Sequence, residues 1–268
     1  MDTNLFGDTP VDLSLTILRE FEPPEGYYGA FSGGKDSVVL KRLVEMAGVK
    51  CDWHYQVTTL DPPPLMEFIR DFHRDVKWEK PKHSFYWHIR HRHGLPSRTI
   101  RWCCHELKEP GGEGRLVLTG VRAEESSQRR GRHVVEPCQR LGKTFISPIL
   151  HWTTNQIWQF IKEENLPYCR LYDEGWKRVG CCFCPFAHED EIARTLAAWP
   201  RMAERILDAC RYAWEHSTDE QLLARRVYSS PEEWFEAYLA RDRQKRVSPD
   251  QEVLPFDQFG EDDDSDYS

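Results

Sequence analysis

Apolar and polar positions along the chain switch between two periods. "YYGAF" (27–31), "CDWHYQV" (51–57) and "RLVLTGV" (115–121) are short apolar runs bounded by turn residues, and "TFISPIL" (144–150) is a weaker one; each predicts a strand. Between them the period is helical. "DSVVLKRLVEMA" (36–47) places Val39, Leu40, Leu43, Val44 and Ala47 on one face, and "LMEFIRDFHRDV" (65–76) is amphipathic after the breaker "LDPPP" (60–64). A threonine cap opens a further helix in "TTNQIWQFIKEENL" (153–166). Strands alternating with helices predict an α/β fold, a Rossmann-like parallel sheet with helices on both faces. From residue 188 the pattern is helical throughout, in "EDEIARTLAAW", "RMAERILDACRYAW", "DEQLLARRV" and "PEEWFEAYLA". The expected organisation is an α/β domain over 1–187, a helical region over 188–256 packed on it, and an acidic disordered tail over 257–268.

Composition narrows the class. Hydrophobic residues make up 40% of the 268, enough for a sizeable core, and no apolar run approaches the ~18 residues that cross a bilayer. The N-terminal stretch lacks the basic start and apolar centre of a secretion signal. A soluble, cytoplasmic protein without a membrane partner is expected. The net charge of −8 hides an asymmetry, since five acids lie in "EDDDSD" (261–266) while "HIRHRHGLPSRTIR" (88–101) and "RAEESSQRRGR" (122–132) are basic. Such stretches suit an anionic ligand, nucleic acid included, or a plain solvated surface. No recognisable DNA- or RNA-binding module accompanies them.

Nine cysteines, odd in number and clustered, argue against a secreted disulfide scaffold. Cys51, Cys138, Cys169 and Cys210 stand alone and read as structural thiols. Cys103 and Cys104 are adjacent, and "GCCFCP" (180–185) carries Cys181, Cys182 and Cys184. Clustering of this kind points to metal ligation or thiol chemistry.

"FSGGKDS" (31–37) lies between the first strand and its helix. Gly33 and Gly34 let backbone N–H groups turn toward an anion, and the helix N-terminus adds uncapped donors. Lys35 supplies a point charge; Ser32 and Ser37 supply hydroxyls. Neither a Walker loop nor a GxGxxG turn is present, and a simple capped turn is the alternative. The SGGKDS segment resembles the SGGxDS PP-loop of the ATP pyrophosphatases, the adenine-nucleotide alpha hydrolases. The resemblance implies a loop holding the pyrophosphate of ATP, with Asp36 a candidate ligand for Mg2+. It also implies that "VTT" (57–59), with Thr59, lies near adenine and ribose.

Two further segments extend the likeness. "RWCCHELKEP" (101–110) and "GVRAEESSQR" (120–129), followed by "RVGCCFCP" (178–185), resemble the phosphoadenosine phosphosulfate reductase family over about residues 25–186, in its branch carrying a [4Fe–4S] cluster. The implied cluster ligands are Cys103, Cys104, Cys181 and Cys184, and four thiolates are what such a cube takes. A four-cysteine zinc site is the competing metal. Trp102 and Phe183 would shield the cluster. Gly120, Lys108, Arg122 and Arg129 would contact phosphate or a sulfur oxyanion, Arg as a planar fork and Lys as a compact charge.

The chain also departs from the sulfonucleotide reductases. Those enzymes place a nucleophilic cysteine in a C-terminal Glu-Cys-Gly-x-His-like segment, and Cys210, in "LDACRYAW", has no such context. Their PP-loop also tends to be degenerate, whereas this one is intact. The nearer resemblance is to sulfur-inserting PP-loop proteins such as the DNA phosphorothioation sulfurtransferases and the tRNA thiolases. It implies adenylation of an acceptor by ATP, then sulfur insertion with loss of AMP. Cys182 is the candidate persulfide carrier if the other four cysteines close the cluster. Expected partners are an adenine nucleotide, a sulfur donor such as a cysteine desulfurase, and a nucleic-acid or other anionic acceptor. A homodimer is one oligomeric state left open. The alternatives are an adenylyl-sulfate or phosphoadenylyl-sulfate reductase releasing sulfite, and a non-catalytic subunit that binds nucleotide and cluster for regulation.

Overall fold

The computed structural model describes residues 7–218 and 220–240; the acidic tail expected over 257–268 lies outside them. In chain order the elements begin with α1 (Pro10–Glu20), β1 (Tyr27–Ala30), α2 (Lys35–Ala47), β2 (Cys51–Gln56), α3 (Pro63–Phe72) and β3 (Lys77–Glu79). Next come α4 (Phe85–His88), which runs on into a π-helical turn (Ile89–His93), then α5 (Trp102–Leu107), β4 (Leu116–Leu118) and α6 (Ser127–Arg130). β5 (Val135–Cys138), β6 (Lys143–Ile146), α7 (Thr154–Glu163), α8 (Glu189–Ala198), α9 (Pro200–His216) and α10 (Pro231–Ala240) complete the chain.

The strands form one six-stranded sheet in the order β3-β2-β1-β4-β6-β5. Four of its five pairings are parallel; β5 runs antiparallel to β6 at the edge. The sheet is therefore mixed rather than wholly parallel. β5 and β6 are joined by a short turn ending at Gly142 (φ 59°), and Pro137 in β5 is tolerated because an edge strand needs only half its donors. Helix α2 buries Val39, Leu40, Leu43 and Val44, the face its sequence period marked. Both α1 and α7 pack on α2.

Packing divides the chain into two compact units. The first takes the described residues up to Lys82 together with Cys103–Cys182, and contains the whole sheet. The second joins His83–Trp102 to the chain from Phe183 onward, so the helical region expected over 188–256 is accompanied by an earlier segment. Within this unit α9 is central: α4, the π-helical turn, α8 and α10 all pack against it. Its buried face is Ala203, Ile206, Ala209, Cys210 and Ala213. Trp102 stacks on Phe85 at 5.1 Å, and the Tyr238 hydroxyl donates to the Phe183 carbonyl. "DEQLLARRV", expected as a helix, yields only a 3-10 turn over Leu223–Arg226 among the described residues. No helix among the described residues is long and apolar enough to cross a membrane.

Candidate functional site

From β1 the chain steps to β2 on one side, while β4 lies on the other. The gap beyond β1 and β4 is thus a topological switch point, where open α/β sheets bind ligands at their C-terminal edge. SGGKDS follows β1 and "GVR" (120–122) follows β4; pairing of Gly29 with Leu118 brings the two loops side by side. Gly33 has φ 71°, and a side chain there would strike Leu65 Cδ1 at 2.5 Å. A Cβ at Gly120 would lie 3.1 Å from the Asp36 carbonyl carbon and 3.2 Å from Ser37 N. Gly33 thus lets the loop pack against the side chains of α3 and Gly120 lets backbone approach backbone, and α2 begins at this crowded point.

Gly34, at the N-cap of α2, offers no side-chain cap. The loop's hydroxyls brace it instead: Ser37 Oγ donates to the Gly34 carbonyl at 2.8 Å and lies 3.3 Å from Ser32 Oγ. The Lys35 N–H donates to the phenol oxygen of Tyr172 at 3.0 Å. That hydroxyl stands where an anion at a helix N-terminus would accept. Burial raises the Tyr172 pKa, so the phenol stays neutral. The Lys35 ammonium lies 5.7 Å from the centroid of the same ring.

A chain of charges links the loops. Lys35 Nζ is 3.0 Å from Asp36 Oδ2, and Arg122 Nε donates to Asp36 Oδ1 at 2.6 Å. Arg122 Nη1 donates to Glu124 at 2.9 Å and to the Trp152 carbonyl at 3.1 Å, and Nη2 donates to Thr154 Oγ1 at 3.2 Å. Burial alone would lower the Arg122 pKa, but Asp36 and Glu124 outweigh it and hold it above the ordinary value. With 2% of its surface exposed and four of its five N–H donors committed to the protein, Arg122 braces Asp36. Both Asp36 oxygens likewise face protein cations.

The remaining expected residues fall in three places. Arg129 pairs with Glu125, which also accepts the Arg122 N–H at 3.0 Å. Lys108 is exposed just past the end of α5, its N–H donating to the Cys104 carbonyl at 3.0 Å. Thr59 takes the left-handed conformation (φ 61°) in the turn after β2. That turn is stitched to the cysteine segment: Cys181 Sγ donates to Thr58 Oγ1 at 3.2 Å, and the Cys182 N–H donates to the Leu60 carbonyl at 2.8 Å.

Cys103 and Cys104 lie in the first turn of α5, and Cys184 in the loop before α8. Four thiolates are the right donors for an iron–sulfur cube. Among the described residues, however, no three His, Cys, Asp or Glu side chains gather as a metal ion requires. The four thiols fit such a cluster in kind. Cys182 is 3% exposed, and burial pushes its thiol pKa far up, with Cys181 and Asp61 adding to the shift. A sulfur carrier needs an accessible thiolate, so Cys182 is placed as a core residue rather than as a persulfide carrier. Cys169 and Cys210 are also raised by burial, and Cys51 is pushed up to about 12, as structural thiols would be.

Tyr172 and the joining of Asp36 to Arg122 were not visible in the sequence. Tyr172 lies in a 3-10 turn, in "CRLYDEG", far from the loop it caps and with no motif around it.

Residues 27–187 match the model of the family described as phosphoadenosine phosphosulfate reductase domain. An uncharacterised protein of Methanocaldococcus jannaschii is 28% identical over 205 residues, 71% of this chain and 43% of that protein. An adenosine 5'-phosphosulfate reductase of Oceanobacillus iheyensis is 26% identical over 187 residues, 63% of this chain and 75% of that enzyme. The crystal structure of phosphoadenylyl-sulfate reductase from Candida auris, a phosphate complex, superposes with a TM-score of 0.49 at 21% identity, covering 68% of this chain and 97% of that one. This chain spans 43% and 47% of the length of two M. jannaschii relatives, less than half of each. The family match takes in every strand of the sheet and both loops at its switch point, and by it the chain belongs to the phosphoadenosine phosphosulfate reductase domain family.

Proposed function

We propose that this chain is a PP-loop enzyme that adenylates an acceptor oxygen with ATP, releasing pyrophosphate, so that sulfur can replace that oxygen. The observation that carries this reading is the start of α2, an N-terminus without a side-chain cap set at the switch point with Gly120 pressed against it. Amides of the first turn and the Lys35 ammonium are suited to the leaving pyrophosphate, whose charge they offset. A phosphate oxygen would take the Lys35 N–H from Tyr172. Arg122, through Asp36, positions Lys35.

The adenylation step balances without a redox change. The acceptor oxygen attacks the α-phosphorus, the bond to pyrophosphate breaks, and the acceptor proton passes to solvent. Hydrosulfide then displaces AMP; where a cysteine desulfurase is the donor, its sulfur arrives as a persulfide, and an external thiol reduces that persulfide to hydrosulfide before the displacement. Mg2+ would arrive with ATP and neutralise phosphate charge. A [4Fe–4S] cluster on Cys103, Cys104, Cys181 and Cys184 stands in this reading on donor chemistry alone, and iron and sulfide analysis of anaerobically purified protein tests it. The acceptor is a nucleic acid or another anionic molecule.

A second reading, reduction of a sulfonucleotide, is favoured by relatives named adenosine 5'-phosphosulfate reductase. It requires a thiolate to attack sulfur, and Cys51, Cys169, Cys182 and Cys210 are all shifted away from that role by burial. Parallel anaerobic incubations with ATP and with adenylyl sulfate separate the two. Pyrophosphate from ATP without sulfite from adenylyl sulfate supports adenylation; sulfite without pyrophosphate overturns it.

A further inference from the structure

The arginines of this chain keep two kinds of company. In the first unit Arg42, Arg115, Arg122, Arg140 and Arg170 each hold a carboxylate. In the second, Arg211 likewise pairs with Asp208 and Glu232, but Arg90, Arg92 and Arg205 have no carboxylate partner among the described residues and lie against rings instead. Arg90 is 5.6 Å from the Tyr212 centroid, Arg92 5.1 Å from Trp87, and Arg205 4.2 Å from Tyr86. Arg90 Nε is buried without a hydrogen-bond partner. A ring beneath a guanidinium occupies its face and leaves the N–H edge to meet phosphate. Among the described residues, three positive charges are thus oriented against rings without a carboxylate partner.

The rings themselves form an unbroken row. His83 stacks on Trp87 at 3.7 Å, Trp87 lies 5.0 Å from His91, His91 5.3 Å from Tyr212, and Tyr212 stacks on His216 at 4.1 Å. His91 and His216 are exposed and Trp87 and Tyr212 half-buried, so the row borders solvent. Its first part is carried by α4 and the π-helical turn, its second by α9, and these elements pack on each other. An acidic protein would satisfy the arginines but has no use for the solvent-exposed rings of His91 and His216. A nucleic-acid strand uses both, since bases stack on rings while phosphates meet the cations.

We propose that the row of rings from His83 to His216, with Arg90, Arg92 and Arg205, is a platform for single-stranded nucleic acid. The platform lies wholly within the second unit and does not depend on the adenylation reading. The test is fluorescence anisotropy of labelled single-stranded DNA and RNA oligonucleotides with the full chain, at low salt and without ATP. Binding is expected, with log affinity falling against log salt at a slope of about −2, for three phosphate contacts on a single strand. The Arg90→Gln/Arg92→Gln protein should bind at least tenfold more weakly with a shallower slope, and Trp87→Leu should also weaken binding, by about tenfold. Circular dichroism verifies folding; should Trp87→Leu fail to fold, the arginine pair decides alone. Absence of binding, binding unchanged in the arginine pair, or displacement of the strand by poly-glutamate as readily as by unlabelled strand would each overturn the proposal. Preference for DNA or RNA then says which strand the platform serves.

Discussion

A methyl group at Gly120 would sit 3.1 Å from the Asp36 carbonyl carbon, and the start of α2 is held from retreating. Arg122 grips it through Asp36, and Tyr172 through the Lys35 N–H. Gly120→Ala is therefore expected to cost about 1–3 kcal/mol of stability and to weaken ATP binding about tenfold, read by thermal melting and calorimetry. Tyr172→Phe should act in the opposite sense on binding. It removes the acceptor that competes for the Lys35 N–H, so ATP affinity should rise a few-fold while stability falls by about 0.5–1.5 kcal/mol; unchanged or weaker binding would show that the contact is not competitive. Arg122→Ala leaves Asp36 and Glu124 without their shared cation. A loss of about 1–3 kcal/mol is expected, since Asp36 keeps Lys35 and Glu124 is half-exposed, seen as a lower urea midpoint.

Among the elements, the packing around α3 carries a pH dependence. His73, just past its end, lies 4.7 Å from Phe31 and 5.0 Å from Phe68 by ring centroids, with Lys41 Nζ 3.4 Å from Nδ1. Burial first, and the Lys41 charge second, lower its pKa from 6.5 to about 4. The unfolded chain therefore binds this proton more readily than the folded one. Stability is complete above about pH 6.5 and declines as pH falls toward about 4, by at most about 3 kcal/mol. His73→Leu should flatten that decline, measured as urea midpoints at about pH 5 and about pH 7.5. The elements that carry the core were legible because burial and period agree in them: β1, β2, β4 and α2 match their apolar runs. Helix α1 was not, because Val11, Leu13, Leu15 and Ile17 alternate like a strand, and its capping box at Thr9 and Asp12 overrides that period. β3 has three residues and β5 contains a proline, too little pattern for either to be read. The loop chemistry of SGGKDS was local and readable. Its supports, Arg122 on Asp36 and Tyr172 on Lys35, depend on strand order and on a distant turn.

At the scale of the molecule, residues 83–102 sit between β3 and β4 in sequence but belong with helices that come about a hundred residues later. A fragment ending at residue 187, the boundary that the helical pattern suggests, would keep Phe85, Tyr86 and Ile89 while losing α9, against which their helical segment packs. Such a fragment is expected to aggregate where the full chain does not, as light scattering would reveal. The same interruption acts on the ribosome. At roughly 5–20 residues per second, the segment emerges on the order of ten seconds before α9 is synthesised. For that interval its aromatic side chains await a partner still being translated. The apolar face of the segment therefore closes only after α9 has followed it out of the ribosome.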